Sequence, residues 1–270
     1  MSNNNISTDW MFPILRQPPQ YWKPFSTLTL SSVGLISKVL IGALNTRKIF
    51  NKDKLIAALE GRPKNVPLIT VSNHHSCVDD PGLWGAMLKG WRHLCDRKVM
   101  RWSLAAHDIC FTNKIHSYFF MMGKCIPVVR GAGVEQEALK FCSEKLCEGQ
   151  WVHVFPEGLV NMTQEPMRIK WGVGKLVWDS PIEPIVIPLW HVGMEKILPN
   201  TPPYRPRTGQ KVTINVGDPI QLSGLLHSLR NSQTDMVSAR KAITDEIQDK
   251  LLALQPITEK LHLEWTYGRS

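Results

Sequence analysis

The sequence has no hydrophobic secretory signal core, no Arg-rich amphipathic presequence, no internal repeat and no internal linker, its Pro-rich stretch over 199–209 reading as a loop or hairpin tip. The first two absences leave no cleaved address to set aside before reading the fold. The other two argue against a tandem array or a string of domains. Its six cysteines, Cys77, Cys95, Cys110, Cys125, Cys142 and Cys147, include no Cys-x-x-Cys pair, which argues against a disulfide framework. His74, His75, Cys77, His93 and Cys95 fit no usual zinc spacing, so no metal is expected. There is no Gly-x-Ser-x-Gly elbow, and Cys77 with a histidine is the one cysteine-hydrolase alternative. No recognisable nucleic-acid-binding module is present, so nucleic acid is not expected as a partner. Acidic residues are in the minority, 23 against 32 Lys and Arg, and the net charge of +9 calls for an anionic partner.

What is present is a core. Hydrophobic residues make up 43% of the chain and there are ten tryptophans, a composition that folds rather than stays disordered. The basic residues are spread in groups: Arg47, Lys48, Lys52, Lys54, Arg62 and Lys64; then Lys89, Arg92, Arg97, Lys98 and Arg101; then Arg168, Lys170 and Lys175. Such groups suit an anionic membrane surface. An apolar run from Phe25 to Leu44 is long enough to cross a bilayer, which takes about 20 residues. Lys38 near its middle and the hydroxyls of Ser26, Thr27, Thr29, Ser31, Ser32 and Ser37 favour an interfacial helix instead. Trp22 and Lys23 before it, and Arg47 and Lys48 after it, are anchors of the interfacial kind. The expected organisation is a polar, then Trp/Pro-rich tail over 1–24, a membrane-associating apolar helix within 25–50, and one catalytic domain over 51–270.

Beyond residue 64, short apolar runs alternate with helical stretches. Strands are expected at Leu68–Val71, Ile126–Val129, Val152–Phe155, Ile185–Leu189 and Val212–Val216. Helices are expected at Pro81–Lys89, Val134–Cys147 closed by Gly149, Val173–Trp178 and Met236–Leu254. The pattern predicts an α/β fold with a central, mostly parallel sheet flanked by helices, preceded by the membrane-associated helical segment.

The richest stretch is His74-His75-Ser76-Cys77-Val78-Asp79-Asp80, set between the strand at Leu68–Val71 and a helix opened by Pro81. Its spacing offers two pairs, His74 with Asp79 and His75 with Asp80. Asp80 directly precedes the proline and is the natural cap for free N–H groups. Asp79 is then the carboxylate left to orient an imidazole, so His74–Asp79 is the favoured pair, and His75 has no assigned role. A neutral imidazole is available as a base near neutrality because its unperturbed pKa is about 6.5.

Three later segments repeat the design of a strand followed by polar groups. Val128-Val129-Arg130-Gly131 places a guanidinium beside small residues, as a phosphate site requires. Phe155-Pro156-Glu157-Gly158 places a carboxylate at a loop tip, where it can accept from a substrate hydroxyl or hold Arg130, and Arg168, Lys170 and Lys175 follow with positive charge for a phosphate. The proline-framed strand Pro184–Pro188 either walls an acyl chain or fills the core. In a parallel sheet the carboxyl ends share one edge, which predicts that His74, Asp79, Arg130 and Glu157 come together there.

These four blocks in order resemble those of the glycerolipid acyltransferase superfamily. Within it the chain is most similar to a branch of phospholipid–lysophospholipid transacylases, through stretches such as Asp79-Asp80-Pro81 and Gly123-Lys124-Cys125-Ile126-Pro127. The resemblance implies His74 and Asp79 as catalytic residues, with Arg130, Gly131, Glu157, Gly158 and Lys170 binding substrate. It implies no cofactor and no acyl-CoA requirement. The implied substrates are phospholipids and lysophospholipids, namely cardiolipin, monolysocardiolipin and phosphatidylcholine. The implied setting is the inner and outer mitochondrial membranes facing the intermembrane space, and an oligomer is allowed. Leu159, Val160 and Asn161 stand where many superfamily members have Thr and Arg or Ser, so those polar roles are not carried over. The alternatives are an acyl-CoA-dependent lysophospholipid acyltransferase, and a non-enzymatic protein that binds anionic membranes.

Overall fold

In a computed structural model, which describes residues 7–88 and 93–268, the chain begins with two helices, α1 (Met11–Arg16) and α2 (Trp22–Gly42). Strand β1 (Thr46–Phe50), helix α3 (Lys52–Gly61), strand β2 (Leu68–Ser72) and helix α4 (Asp79–Met87) follow. Next come β3 (Trp102–Ala106), a helical turn at His107–Cys110, α5 (Lys114–Met122), β4 (Cys125–Val128), α6 (Glu137–Cys147) and β5 (Trp151–Val154). The chain ends with α7 (Gly172–Trp178), β6 (Ile185–Val192), a helical turn at Met194–Ile197, β7 (Lys211–Val216), α8 (Ser223–Asn231) and α9 (Met236–Tyr267). Lys89 and Arg92 of the second basic group, and the expected end of the fourth helix at Lys89, lie outside the described residues.

The strands form one sheet in the order β1-β7-β6-β2-β5-β3-β4. Every described pairing is parallel except β6 with β7. The sheet is therefore mostly parallel, as predicted, with β1 and β7 running against the other strands. Central β2 is buried along its whole length. Ile69 and Val71 feed one core layer with Val152, Val154, Phe141 and Ile243, while Leu68 faces the opposite layer with Trp84, Trp151, Ile187 and Val212. Helices covering both faces explain why its apolar run is continuous rather than alternating. Strand β6 fills the core as well: Val186, Ile187 and Leu189 have no exposed surface.

Two strands were not anticipated. β1 is polar, Thr46-Arg47-Lys48-Ile49-Phe50, because it sits at the edge of the sheet; its residues close the segment assigned by sequence to the apolar helix. β3 is short and lies between β5 and β4. Helix α9 passes through Pro256 and continues to Tyr267, beyond the expected end at Leu254. Proline removes a helical N–H, but the second half is docked on the sheet, where His262 Nδ1 lies 2.9 Å from the Thr213 hydroxyl of β7.

Helix α2 packs on α4 through small residues. A Cβ at Gly85 would lie 2.6 Å from Ser37 Cβ and 2.8 Å from the Lys38 backbone nitrogen, so the crossing needs glycine. The buried face of α2 carries Ser26, Leu30, Gly34, Ser37 and Ile41, while Phe25, Leu28, Leu35, Ile36 and Val39 are exposed. Lys38 turns inward and donates to the Leu88 carbonyl at 3.1 Å. Ser26, Ser37 and Lys38 are used against the protein, and five large apolar side chains of the helix face outward.

Candidate active site

The carboxyl ends of β2, β5 and β6 lie side by side, and the polar residues that follow them interlock. Asn73, just past β2, clasps His191 near the end of β6: its amide donates to the His191 carbonyl at 2.9 Å, and its side-chain oxygen accepts the His191 N–H at 2.9 Å. This clasp fixes where the turn holding His74 leaves the sheet. Asn161 then donates its backbone N–H to the His74 carbonyl at 2.7 Å, and Asn200 donates to the His75 carbonyl at 2.6 Å.

Asp79 lies at the start of α4 with no exposed surface. Its Oδ2 accepts from the N–H groups of His75 at 2.7 Å and Ser76 at 2.8 Å, and from His74 Nδ1 at 3.0 Å. A carboxylate only accepts, so His74 carries its proton on Nδ1 in this bond. The His74 ring stacks on Phe155 with centroids 4.0 Å apart, which sets its plane. Its side chain keeps 18% exposure.

The expected division of labour between the two aspartates is corrected here. The helix starts at Asp79, before Pro81, and Asp80 caps no backbone group. Asp79 itself takes two N–H groups together with His74. Asp80 accepts from Trp84 Nε1 at 2.7 Å and pairs with the buried Arg101. Pro81 falls inside the first turn, where its missing N–H costs nothing because that turn has no acceptors.

Glu157 is buried beyond β5, and its Oε1 accepts the backbone N–H of His74 at 2.8 Å. Oε2 is buried without a partner among the described residues. Burial raises the Glu157 pKa, against the hydrogen bond from His74. Burial by itself would also raise Asp79, but His191 and the hydrogen bond from His74 outweigh it and hold that carboxyl well below the usual range. His75 is pushed down to about 4, first by burial and then by the charge of His191. Cys77 is raised by burial and by the nearby Asp79, which opposes the thiolate a cysteine hydrolase needs.

The structure brings His74, Asp79, Glu157 and Gly158 together. Lys170 joins them: its N–H donates to the Pro156 carbonyl at 2.7 Å, and its exposed side chain lies over Gly158. Arg130 and Gly131 stand apart. They follow β4, three strands from β2 in the sheet order, or about 14 Å at the usual strand spacing. Arg130 is held by Asp108 rather than by Glu157, with 43% of its side chain exposed. Gly131 and Gly133 adopt positive φ angles, and Gln136 folds back to accept the Val129 N–H at 2.8 Å, shaping this loop and delaying α6 to Glu137. Arg168 is tied to Asp245, and Lys175 to Asp179 and Glu135, so both serve packing rather than an open anion site.

Sequence reasoning assigned no role to Asn73 or His191. His191 had the same signature as the others, a polar residue closing an apolar strand.

A family model described as Acyltransferase matches residues 55–192, the segment that holds the whole cluster. Tafazzin of Drosophila melanogaster is 52% identical over 95% of this chain and 67% of its own length. The chain belongs to the tafazzin family of acyltransferases. Its Dictyostelium discoideum relative, Taffazin, is 35% identical over 84% of this chain and 85% of its own. N-acylphosphatidylethanolamine synthase of Arabidopsis thaliana is 42% identical over 71% of this chain and 69% of its own. The fold resembles the 1-acyl-sn-glycerophosphate acyltransferase PlsC of Thermotoga maritima, with a TM-score of 0.56 and 17% identity over 84% of this chain and 79% of that one. This chain is an acyltransferase.

Proposed function

We propose that this acyltransferase moves acyl groups between phospholipids and lysophospholipids without acyl-CoA, and remodels cardiolipin at mitochondrial membranes facing the intermembrane space. One observation carries the chemistry: His74 Nδ1 is fixed on buried Asp79 at 3.0 Å, and Nε2 of the same partly exposed ring has no partner among the described residues. In the proposed reaction Nε2 takes the proton from a lysophospholipid hydroxyl as that oxygen bonds to the ester carbonyl carbon of a donor phospholipid. The tetrahedral intermediate collapses by breaking the bond to the donor's glycerol oxygen, and the imidazolium returns the proton to it. The products are a new phospholipid and a new lysophospholipid. Asp79 holds the tautomer and stabilises the imidazolium, as the acid does in a serine-protease triad. Donor and product esters are alike, so one imidazole acting in both directions serves a reversible exchange.

The unpartnered Glu157 Oε2 is the acceptor for a second substrate hydroxyl, and Lys170, beside Gly158, offers a charge for phosphate. Arg130 is the outer phosphate anchor, and the distance from β2 suits a headgroup that lies away from the reacting ester. The outward apolar face of α2 supports interfacial insertion. By length and composition α2 is also sufficient to cross a bilayer.

The test is acyl exchange between defined phospholipids in cardiolipin-containing vesicles, with purified protein and CoA rigorously removed. Transfer by the wild type and its loss in His74→Ala is expected. Transfer only on adding acyl-CoA would replace this reading with the CoA-dependent one. The Arabidopsis relative's name favours a check of a second acceptor, the amine of phosphatidylethanolamine, for which the same proton relay applies.

A further inference from the structure

His191 has no task in the scheme above, yet its buried ring faces the centre of the site. Its Nε2 lies 3.0 Å from the Asn73 carbonyl oxygen and 3.4 Å from Asp79 Oδ2. That is the oxygen holding His74 Nδ1 at 3.0 Å. Nδ1 of His191 has no hydrogen-bond partner among the described residues. Its main chain is clasped on both sides by the Asn73 amide, which pins this end of β6 to the turn after β2. Two imidazoles thus flank one carboxylate oxygen, His74 bonded to it and partly exposed, His191 beside it and sealed in the core.

We infer that His191 is a positioning residue that competes with His74 for Asp79 and thereby sets the proton affinity of the base. The inference rests on His74 being that base. A buried carboxylate facing one imidazole favours the ion pair, which leaves the base already protonated. A second imidazole 3.4 Å from that oxygen, which already accepts from the His75 and Ser76 N–H groups, brings competing positive charge to the carboxylate and weakens its hold on a proton of His74. Burial opposes a charge on His191, but Asp79 outweighs it and raises the pKa of that imidazole. The other titratable groups facing His74 do not replace this effect. His75, in the same turn, and His153, on β5, are pushed down to about 4 and about 3, chiefly by burial, and are neutral near pH 7. Glu157 spends one oxygen on the His74 N–H.

The test uses the full chain in phospholipid nanodiscs with 13C-labelled histidine, the His74 signal being assigned by its absence in His74→Gln. His191→Leu is expected to raise the His74 pKa by about one unit, a tenfold change in proton affinity. His191→Gln, which keeps an N–H donor near the Asn73 carbonyl but carries no charge, is expected to raise it by about half as much. The acid limb of kcat/KM moves up by the same amounts, and activity recovers at higher pH. Either variant, folded and with His74 titrating as in the wild type, overturns the inference, and so does a loss of activity by one constant factor at every pH. If the leucine variant does not fold, the glutamine variant decides alone. The titration needs no turnover, so His74→Ala retaining acyl transfer would remove the catalytic reading separately.

Discussion

At the ends of β2, β5 and β6 the polar groups are held by backbone atoms or buried rings, whereas at the end of β4 Arg130 is exposed and answers to one surface carboxylate, Asp108. The same sheet edge therefore carries a rigid centre and an adjustable rim. Proton transfer needs an imidazole fixed to within fractions of an ångström, and buried hydrogen bonds supply that. A headgroup phosphate needs only charge within reach, which in the proposed reaction is the part of the exposed Arg130, on a loop with two positive-φ glycines.

The sharpest way to break the centre is Asp79→Asn, which keeps the shape but removes the charge and misdirects the His74 tautomer. Activity is expected to fall by roughly 10²- to 10⁴-fold with little change in KM, measured by exchange kinetics. Next in size is Arg101→Leu, which leaves Asp80 largely buried without its ion pair. It should lower unfolding stability by about 3 kcal/mol in urea titrations, and Asp80→Asn on top of it should recover part of that loss.

A more gradual effect comes from pH. His75 and His153 stay neutral in the fold well below the ordinary histidine value of 6.5, with pKa values of about 4 and about 3. Because their folded pKa values are depressed, the unfolded chain takes up protons first as pH falls. Stability is expected to be full above pH 6.5 and to drop by about 1.4 kcal/mol per pH unit per histidine between there and pH 4. Denaturant curves at several pH values check the slope, and His75→Asn should reduce it by about half. The mildest change is at the rim. Arg130→Ala is expected to raise KM for phospholipid about tenfold with kcat nearly unchanged, and salt should weaken the wild type toward the variant. An equal drop in kcat would move Arg130 from the rim to the centre.

Much of the fold was legible because its signals are local. β2, β5 and β6 are short β-branched runs, and α6 and α9 carry apolar residues at helical spacing. β1 escaped because an edge strand keeps polar side chains, and the second half of α9 because Pro256 reads as a stop until β7 is there to hold the helix. His74, Asp79 and Glu157 were legible as polar residues closing apolar strands. Their roles within the turn were not: Asp80 precedes the proline, yet its charge belongs to Arg101, which is 21 residues further along the chain.

By itself the sequence determined the α/β class, the polar residues that follow the strands, the His74–Asp79 contact and the apolar segment before them, since each depends on neighbours within a few residues. The tertiary structure decided the rest. It turned Ser26 and Ser37 of α2 inward and Phe25, Leu28, Leu35, Ile36 and Val39 outward, placed Arg130 three strands from His74, and set His191 against Asp79. The reason is physical: strand order and helix packing are settled by burying surface between distant segments, and a carboxylate's partners are whichever donors that burial leaves beside it.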